Sequence, residues 1–599
     1  MDVAAILSQC GLFASLDSRA ISQLATLCSH HPVAGGERLF AAGGAADCLY
    51  IVASGRLRAL RPDGSVAGDI SRLEPIGEIS VMTDEPRSGE VYALRDSLLL
   101  RIEREALLAF ISRHPATLLE ITRVLIHRLR QNLRPTSGFV PQSRPALAIM
   151  PAGPSVPMAG FLDRLDAAFR RHGEAPERLD AARINEALGE GAAQLPLTGG
   201  DGDERLIQWL AEREHAGQRL LYIGRDGGNG GGDAWSERCM RQADRVLIVT
   251  DTRTRPIDSP LPALLRRLQL RTPVELVMLR EGAGTAPVSM LRDWTANCDL
   301  DAHHHLHPLR AADHDRLARL LSGRALGLVL GGGGARGFAH IGLIRALEEM
   351  SLPVDLIGGT SMGAFFGALL ACGADSRELR RVAMETFVQQ NYLNDYVLPR
   401  VSLIRGRRFS TRLRAIFGEQ MIEELPLSYF CVSTNLTRGN TMIHRQGPLS
   451  LWVGTSMAVP GVAPPVVWNG DLLVDGAIAN SLPTDIMQAD GRGPIIASDV
   501  STEGGLSLPG VDGPDPEALL KQRRDVAGLR LADILFRSAT LTSESGTKAR
   551  AARADLYLRM PVSGIGLFDW KRIDELIERG YRHALRGLEG FVPGARRDA

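Results

Sequence analysis

The sequence has no run of about 18 or more apolar residues, so no transmembrane helix is expected and any membrane contact has to be peripheral. Its first stretch, residues 1–13, lacks a basic region followed by a long apolar core, so no signal peptide is expected. Neither sign of charge is in excess: 69 Lys and Arg face 69 Asp and Glu. No global field therefore draws the chain to a nucleic-acid polymer. The seven cysteines (10, 28, 48, 239, 298, 372 and 431) are odd in number, scattered and without a C-x-x-C pair. They read as free thiols of a reducing compartment, not as a disulfide frame. The expected location is cytoplasmic, with peripheral contact at the inner membrane face. At 599 residues the chain has room for three or four domains.

What is present centres on Gly359-Thr360-Ser361-Met362-Gly363. An apolar run, 354–357, precedes it and a helical pattern, 364–370, follows. Strand, sharp turn and helix with a serine at the apex is the nucleophile-elbow pattern G-x-S-x-G. So tight a turn needs glycines where a Cβ would crowd strand or helix. The helix N-terminus behind the serine favours a developing alkoxide. In a chain with 63 glycines this motif alone is weak evidence. Two further pieces strengthen it.

Upstream, the strand candidate 326–330 runs into Gly331-Gly332-Gly333-Gly334-Ala335-Arg336-Gly337, and a helical pattern starts at Phe338. Bare backbone N–H groups at a helix start suit an anion, either a phosphate or an oxyanion. The spacing Gly332, Gly334, Gly337 also fits a dinucleotide fingerprint. A serine elbow one helix and one strand later favours the oxyanion, because adjacent parallel strands set their loops side by side. Downstream, Asp475-Gly476-Ala477 follows an apolar strand, 472–474. Only His583 comes after Asp475, on an amphipathic terminal helix, while His340 and His444 come earlier. A Ser–Asp dyad is therefore better supported than a triad with a histidine.

In this order, Gly-Gly-Gly-Ala-Arg-Gly, Gly-Thr-Ser-Met-Gly and Asp-Gly-Ala resemble the patatin-like phospholipase family. The resemblance covers residues 325–499 closely. It implies an α/β hydrolase with Ser361 as nucleophile, Asp475 as base and the backbone of Gly332, Gly333 and Gly334 as oxyanion hole. Gly337, Gly359, Gly363, Gly476 and Ala477 complete its motifs, with Ala477 where many members carry glycine. The stretch Thr455-Ser456-Met457-Ala458-Val459-Pro460 resembles the family's segment between elbow and aspartate.

Residues 1–133 read as a small barrel. Short β-like runs (38–41, 48–52, 57–60, 80–82, 98–102) are spaced by glycines, and two helical stretches (106–113 and 116–133) close the unit. Gly36-Glu37, Gly44, Leu49–Val52 and Gly55-Arg56-Leu57, then Ile76-Gly77-Glu78-Ile79 and Pro86-Arg87-Ser88, resemble the cyclic nucleotide-binding domain family, a jelly roll. That resemblance implies Glu78 on the ribose hydroxyl and Arg87 on the cyclic phosphate, with Gly77 and Ser88 beside them. The candidate regulatory ligand is cAMP or cGMP. Glu90, close behind, is placed to pair with Arg87 and oppose an anion. Residues 134–145, rich in Pro and Ser, read as a linker.

Residues 146–320 alternate strand candidates (147–150, 219–223, 245–250, 274–279) with helices (160–171, 205–216), a small Rossmann-like α/β layer. The Gly224–Gly232 run lacks the Lys-Ser/Thr of a P-loop and reads as a surface loop. His303-His304-His305-Leu306-His307 has no partner at ligand spacing, so a surface or strand-end cluster is expected and no metal. Trp235-Ser236-Glu237-Arg238-Cys239-Met240-Arg241-Gln242-Ala243-Asp244 resembles the region before the esterase domain of the neuropathy target esterase-like subfamily, bacterial type. Residues 325–590 form the hydrolase domain. Within it 393–403 and 534–541 carry apolar residues that fit core better than lipid contact.

The resemblances imply a serine hydrolase of lysophospholipids or phospholipids, acting at a peripheral membrane surface without a required cofactor. The N-terminal barrel would regulate it. The alternatives are a cyclic-nucleotide-sensing protein with an inert hydrolase domain, or a broad carboxylesterase or lipase.

Overall fold

The computed structural model describes residues 2–123 (except 116 and 119), 145–196, 201–225 (except 216), 233–280, 288–501 (except 399), isolated positions from 534 to 543, and 546–591. Outside the described residues lie the linker but for its last residue, most of the Gly224–Gly232 run, the stretch 503–515, whose glycines and prolines read as a loop, and nearly all of 516–538, whose pattern reads as helical. The chain divides into two compact units, Met1–Ala311 and Ala312–Ala599.

In the first unit, eight short strands fold into two four-stranded antiparallel sheets. They are β1 (Cys28–Val33), β2 (Arg38–Phe40), β3 (Cys48–Ser54), β4 (Leu57–Leu60), β5 (Val66–Ile70), β6 (Pro75–Ile76), β7 (Glu90–Ala93) and β8 (Ser97–Glu103). The orders β1-β8-β3-β6 and β2-β7-β4-β5 make the expected jelly roll. One expected strand, 80–82, is instead part of the helix Glu78–Thr83. Left-handed residues bracket that helix, Gly77 at φ +83° and Asp84 at φ +61°, so three apolar residues close one and a half turns.

Next come β9 (Leu147–Pro151), β10 (Glu177–Leu179), β11 (Leu220–Ile223), β12 (Arg245–Asp251), β13 (Val274–Leu279) and β14 (Ala302–Leu306). They form a six-stranded sheet in the order β10-β11-β9-β12-β13-β14, with every pair parallel. The histidine cluster is this sheet's edge strand, not a surface cluster. His304 and His305 are buried, and His304 Nε2 lies 2.7 Å from Glu275 Oε2 on β13.

The Trp235–Asp244 stretch joins this layer to the barrel. Its helix (Ala234–Gln242) carries Arg238, fully buried between Asp203 (2.6 Å) and the barrel's Asp96 (3.3 Å). Arg241 Nε donates to Asp96 at 2.7 Å, and Asp244 accepts from the barrel's Arg95 at 2.7 Å. The backbone N–H of Gly35 also donates to Asp96, at 3.0 Å. A buried carboxylate is tolerated only when so fully partnered.

The second unit is an eight-stranded mixed sheet. Its strands are β15 (Gly327–Leu330), β16 (Leu356–Thr360), β17 (Ser428–Asn435), β18 (Asn440–His444), β19 (Val466–Trp468), β20 (Asp471–Asp475), β21 (Ile495–Asp499) and β22 (Leu556–Arg559). The order β19-β20-β17-β16-β15-β21-β22 has a parallel centre, with β18 pairing β17. Strands β15 and β16, which lead into the glycine loop and the elbow, are neighbours in register: Leu330 lies opposite Gly359. The helix Ala339–Glu349 follows the glycine loop. It is clamped by the terminal helix Ile573–Leu588, where Gly342 faces the Ile577 carbonyl and Gly580 faces the Ala339 carbonyl too closely for any Cβ. Among the described residues, no helix is long and apolar enough to cross a membrane.

Candidate active site

At the end of β16 the chain turns through Ser361 with φ 54° and ψ −120°, a conformation that strains any residue with a side chain. Close packing holds it there. A Cβ on Gly359 would strike Gly363, and one on Gly363 would strike the Leu330 carbonyl. The Ser361 N–H donates to Ser456 Oγ at 2.9 Å, and Ser456 Oγ in turn donates to the Val432 carbonyl at 2.7 Å. The helix Met362–Ala371 starts at the next residue and leaves its first N–H groups without intrahelical acceptors.

Antiparallel strand β20 delivers Asp475 to the same point. Ser361 Oγ donates to Asp475 Oδ2 at 2.7 Å, and the Ala477 N–H donates to Oδ1 at 2.8 Å. Gly476 passes so near the Val432 carbonyl that no Cβ fits. Asp475 is fully buried and Ser361 is 5% exposed. Burial pushes the Asp475 carboxyl up to about 7, against the pull of the Ala477 N–H and the Ser361 hydroxyl. Both of its oxygens are thus engaged by groups other than histidine.

The glycine loop faces the pair. A Cβ on Gly332 would lie 3.2 Å from both Ser361 Cβ and Ala477 Cβ. The Gly332 N–H itself donates to the Ser481 carbonyl at 3.1 Å, and Gly331 N–H donates to the Ser498 carbonyl at 2.9 Å. Gly333 and Gly334 N–H donate to no backbone acceptor among the described residues. Beyond them Ala335 N–H donates to the Leu567 carbonyl at 2.8 Å, which fixes the far side. Arg336 Nε donates to the Ile565 carbonyl at 2.8 Å and anchors the same turn; Gly337 packs against Met362.

His340 is a participant that motif reading left unassigned. It is fully buried, with Nε2 2.9 Å from the Gly331 carbonyl and Nδ1 2.8 Å from Ser498 Oγ. A carbonyl only accepts, so Nε2 carries the proton and Nδ1 accepts from the serine. Burial pushes this imidazole down to about 4, so it stays neutral and holds the loop. Ser456 was also missed as a support for Ser361, although its segment was legible. His583 sits on the terminal helix and is not among the hydrogen-bond partners of Ser361 or Asp475.

In the barrel, Gly77 meets the Arg87 guanidinium, Glu78 is buried as the next residue along the chain, and Ser88 is exposed. Arg87 is buried. It donates to the carbonyls of Ala45 (3.2 Å), Gly77 (3.3 Å) and Cys48 (2.7 Å), and lies 4.4 Å over the Phe40 ring. Glu90 does not reach it: that carboxylate pairs with Arg271 at 3.0 Å and Arg38 at 3.7 Å, because it begins β7 on the side facing the α/β layer.

Three family descriptions match along the chain: cyclic nucleotide-binding domain over residues 30–114, neuropathy target esterase family P-loop like domain over 145–322, and patatin-like phospholipase over 328–487. An uncharacterized NTE family protein of Mycobacterium tuberculosis is 30% identical over 96% of this chain and 95% of its own. Patatin-like phospholipase domain-containing protein 6 of Homo sapiens is 31% identical over 94% of this chain, which spans 44% of that protein. Domain-containing protein 7 of Rattus norvegicus is similar at 30% identity, with 45% of its length spanned.

Proposed function

Since the chain belongs to the neuropathy target esterase family, we propose that it hydrolyses acyl esters of lysophospholipids and phospholipids through a Ser361–Asp475 dyad. The observation that carries this reading is the 2.7 Å bond from Ser361 Oγ to a fully buried carboxylate, at a helix start beside the glycine loop. Asp475 takes the hydroxyl proton as Oγ attacks the acyl carbonyl. Negative charge develops on the carbonyl oxygen, and the N–H groups of Gly333 and Gly334 stabilise it. Gly332 gives the close approach to Ser361. Collapse of the tetrahedral species expels the glycerol alcohol, which takes the proton back from Asp475. Water, activated by the same carboxylate, then releases the fatty acid from acyl-Ser361. None of these steps needs a metal or an organic cofactor.

The test is fatty-acid release by the purified chain from lysophosphatidylcholine, beside diacyl phospholipids and neutral glycerides. Release from the single-chain lipid is expected. A folded chain that hydrolyses none of these lipids contradicts the reading, and faster release from glycerides moves it to a broad lipase.

The base must be ionised to act, and burial raises its titration to about 7. Activity is therefore present above that pH and lost below it, with kcat/KM falling about tenfold per unit on the acid limb. His340, held near 4, is already neutral across this window, so the inflection belongs to Asp475. A profile flat from pH 5 to pH 9 contradicts the assignment.

For the barrel the proposed ligand is cAMP or cGMP, with Arg87 on the phosphate and Glu78 on the ribose. An incoming phosphate has to compete with three backbone carbonyls and with the Asp47 carboxylate, 3.7 Å away, for the guanidinium. Saturating cAMP or cGMP in the same assay tests this: a change in rate supports it, and absence of both binding and rate change sinks it.

A further inference from the structure

The stretch 394–414 holds six arginines against one aspartate, in a chain whose overall charge is zero. Arg400, Arg405, Arg407, Arg408 and Arg414 are exposed, and among the described residues none of the five forms an ion pair. Between and before them stand three large apolar side chains in water: Tyr396 (74% exposed), Leu398 (84%) and Val401 (66%). The expectation that this stretch is core is thus overturned for its central residues. Hydropathy alone does not say which side of a hairpin faces out.

The stretch is tied to the active site. Tyr396 and Ile404 pair across a hairpin, with Val397 N–H donating to the Leu403 carbonyl at 3.0 Å. Its returning arm bonds to the segment after the elbow's support: Leu403 N–H to the Gly461 carbonyl at 2.9 Å, and Ile404 N–H to the Val462 carbonyl at 3.0 Å. Three residues before Gly461, the Ala458 carbonyl accepts the Asp475 N–H at 2.9 Å. Three residues span at most about 11 Å, so the hairpin is anchored within that reach of the dyad strand. A second hairpin, β19–β20, ends on Asp475 itself and presents Val467 (69% exposed) and Trp468 (40%) before its Asn469-Gly470 turn. Two apolar hairpins, one of them carrying Arg400 and followed by Arg405, Arg407 and Arg408 without a carboxylate partner, are therefore both fixed to the strand that carries the base.

We propose that these hairpins dock the chain on an anionic phospholipid bilayer, with Tyr396, Leu398 and Val401 entering the interface and Arg400, Arg405, Arg407 and Arg408 on the head groups. This rests on the lipid-hydrolase reading of the same site. A nearly buried Ser361 takes an acyl ester most directly from a surface held against it. Apolar tips supply burial, and exposed cations without a carboxylate partner, of which Arg408 donates to Asn394 Oδ1 at 2.8 Å, supply attraction to negative lipid at little desolvation cost.

The experiment is co-sedimentation of the full chain with vesicles of phosphatidylcholine alone or mixed with phosphatidylglycerol. Binding to the mixed vesicles is expected to exceed binding to the neutral ones and to weaken as salt rises. The double variant Arg405→Gln/Arg407→Gln should lose about 25-fold in affinity for mixed vesicles, at about fivefold per arginine. The double variant Leu398→Ser/Val401→Ser should lose about tenfold or more on both kinds. Equal, salt-insensitive binding to both vesicles, or no loss in either variant, overturns the proposal. So does a chain that binds neither vesicle and whose self-association the same substitutions abolish, since the face is then a protein contact. Hydrolysis of a water-soluble short-chain ester by the wild-type chain reads the catalytic assignment separately. Vesicle binding without ester hydrolysis keeps the surface and removes the dyad; hydrolysis without vesicle binding does the reverse.

Discussion

Asp475→Asn is expected to lower kcat by about 10⁴-fold while leaving the chain at least as stable as the wild type at pH 8. The two halves have one cause. Asp475 is fully buried, and its charge is held by only one hydroxyl and one N–H. In the unfolded chain its carboxyl has the ordinary value of 3.8, and in the fold it lies at about 7. Between those values the folded state binds the extra proton, so stability falls as pH rises from about 4 to about 7 and stays lower above. At about 1.4 kcal/mol per unit, the ionised base costs the fold on the order of 4 kcal/mol at most. Asparagine is neutral at every pH, keeps the Ala477 bond and can donate to Ser361 Oγ, but it takes no proton. Thermal melts should therefore show the variant a few degrees above the wild type at pH 8, with the gap closing at pH 4. Ser361→Ala removes the nucleophile, and a loss of about 10⁶-fold is expected. Retained turnover in either variant, or an Asp475→Asn chain that is less stable at pH 8, contradicts this account.

Gly363→Ala should be the more damaging change to the fold, although it adds one methyl group. That Cβ would run into the Leu330 carbonyl and crowd the Gly331 carbonyl, both backbone atoms where β15 enters the glycine loop. Neither can rotate away as a side chain would. Either the helix Met362–Ala371 shifts off the sheet or the glycine loop moves away from Ser361. A loss of more than about 4 kcal/mol is expected, seen as little soluble protein and a lost hydrolase melt. Gly68→Ala is the control: its Cβ would meet nothing within 4 Å and it has no positive φ. A Gly363→Ala chain with wild-type melting and activity would mean that the elbow is less tightly packed than described.

The contact between Ser361 and Asp475 was legible because the turns that make it are local. A serine at φ 54° and an aspartate followed by a glycine against a carbonyl each need their immediate neighbours to be what they are. The parallel order of β15 and β16 followed from one helix between two apolar runs. Other features depend on partners far along the chain. Nothing near Asp96 announces Arg238, which lies 142 residues away. The segment around Arg238 was legible as a family resemblance, but its role as the joint to the barrel was not. The strand β14 hides because His303-His304-His305 is polar; pairing with β13 and the Glu275 carboxylate make burial tolerable. Residues 80–82 were too few to separate a period of two from one of 3.6. For β19 the Asn469-Gly470 pair was an available signal, since that dipeptide favours two-residue hairpins.

The central claim is that an acyl group passes through Ser361. Its most direct test is the mass of the chain quenched in acid during turnover of a lysophospholipid, followed by mapping of the modified peptide. The account predicts a fatty-acyl adduct on the peptide that contains Ser361, absent from Ser361→Ala and depleted in Asp475→Asn. Steady turnover with no adduct at Ser361, or with the adduct on another residue, would contradict it.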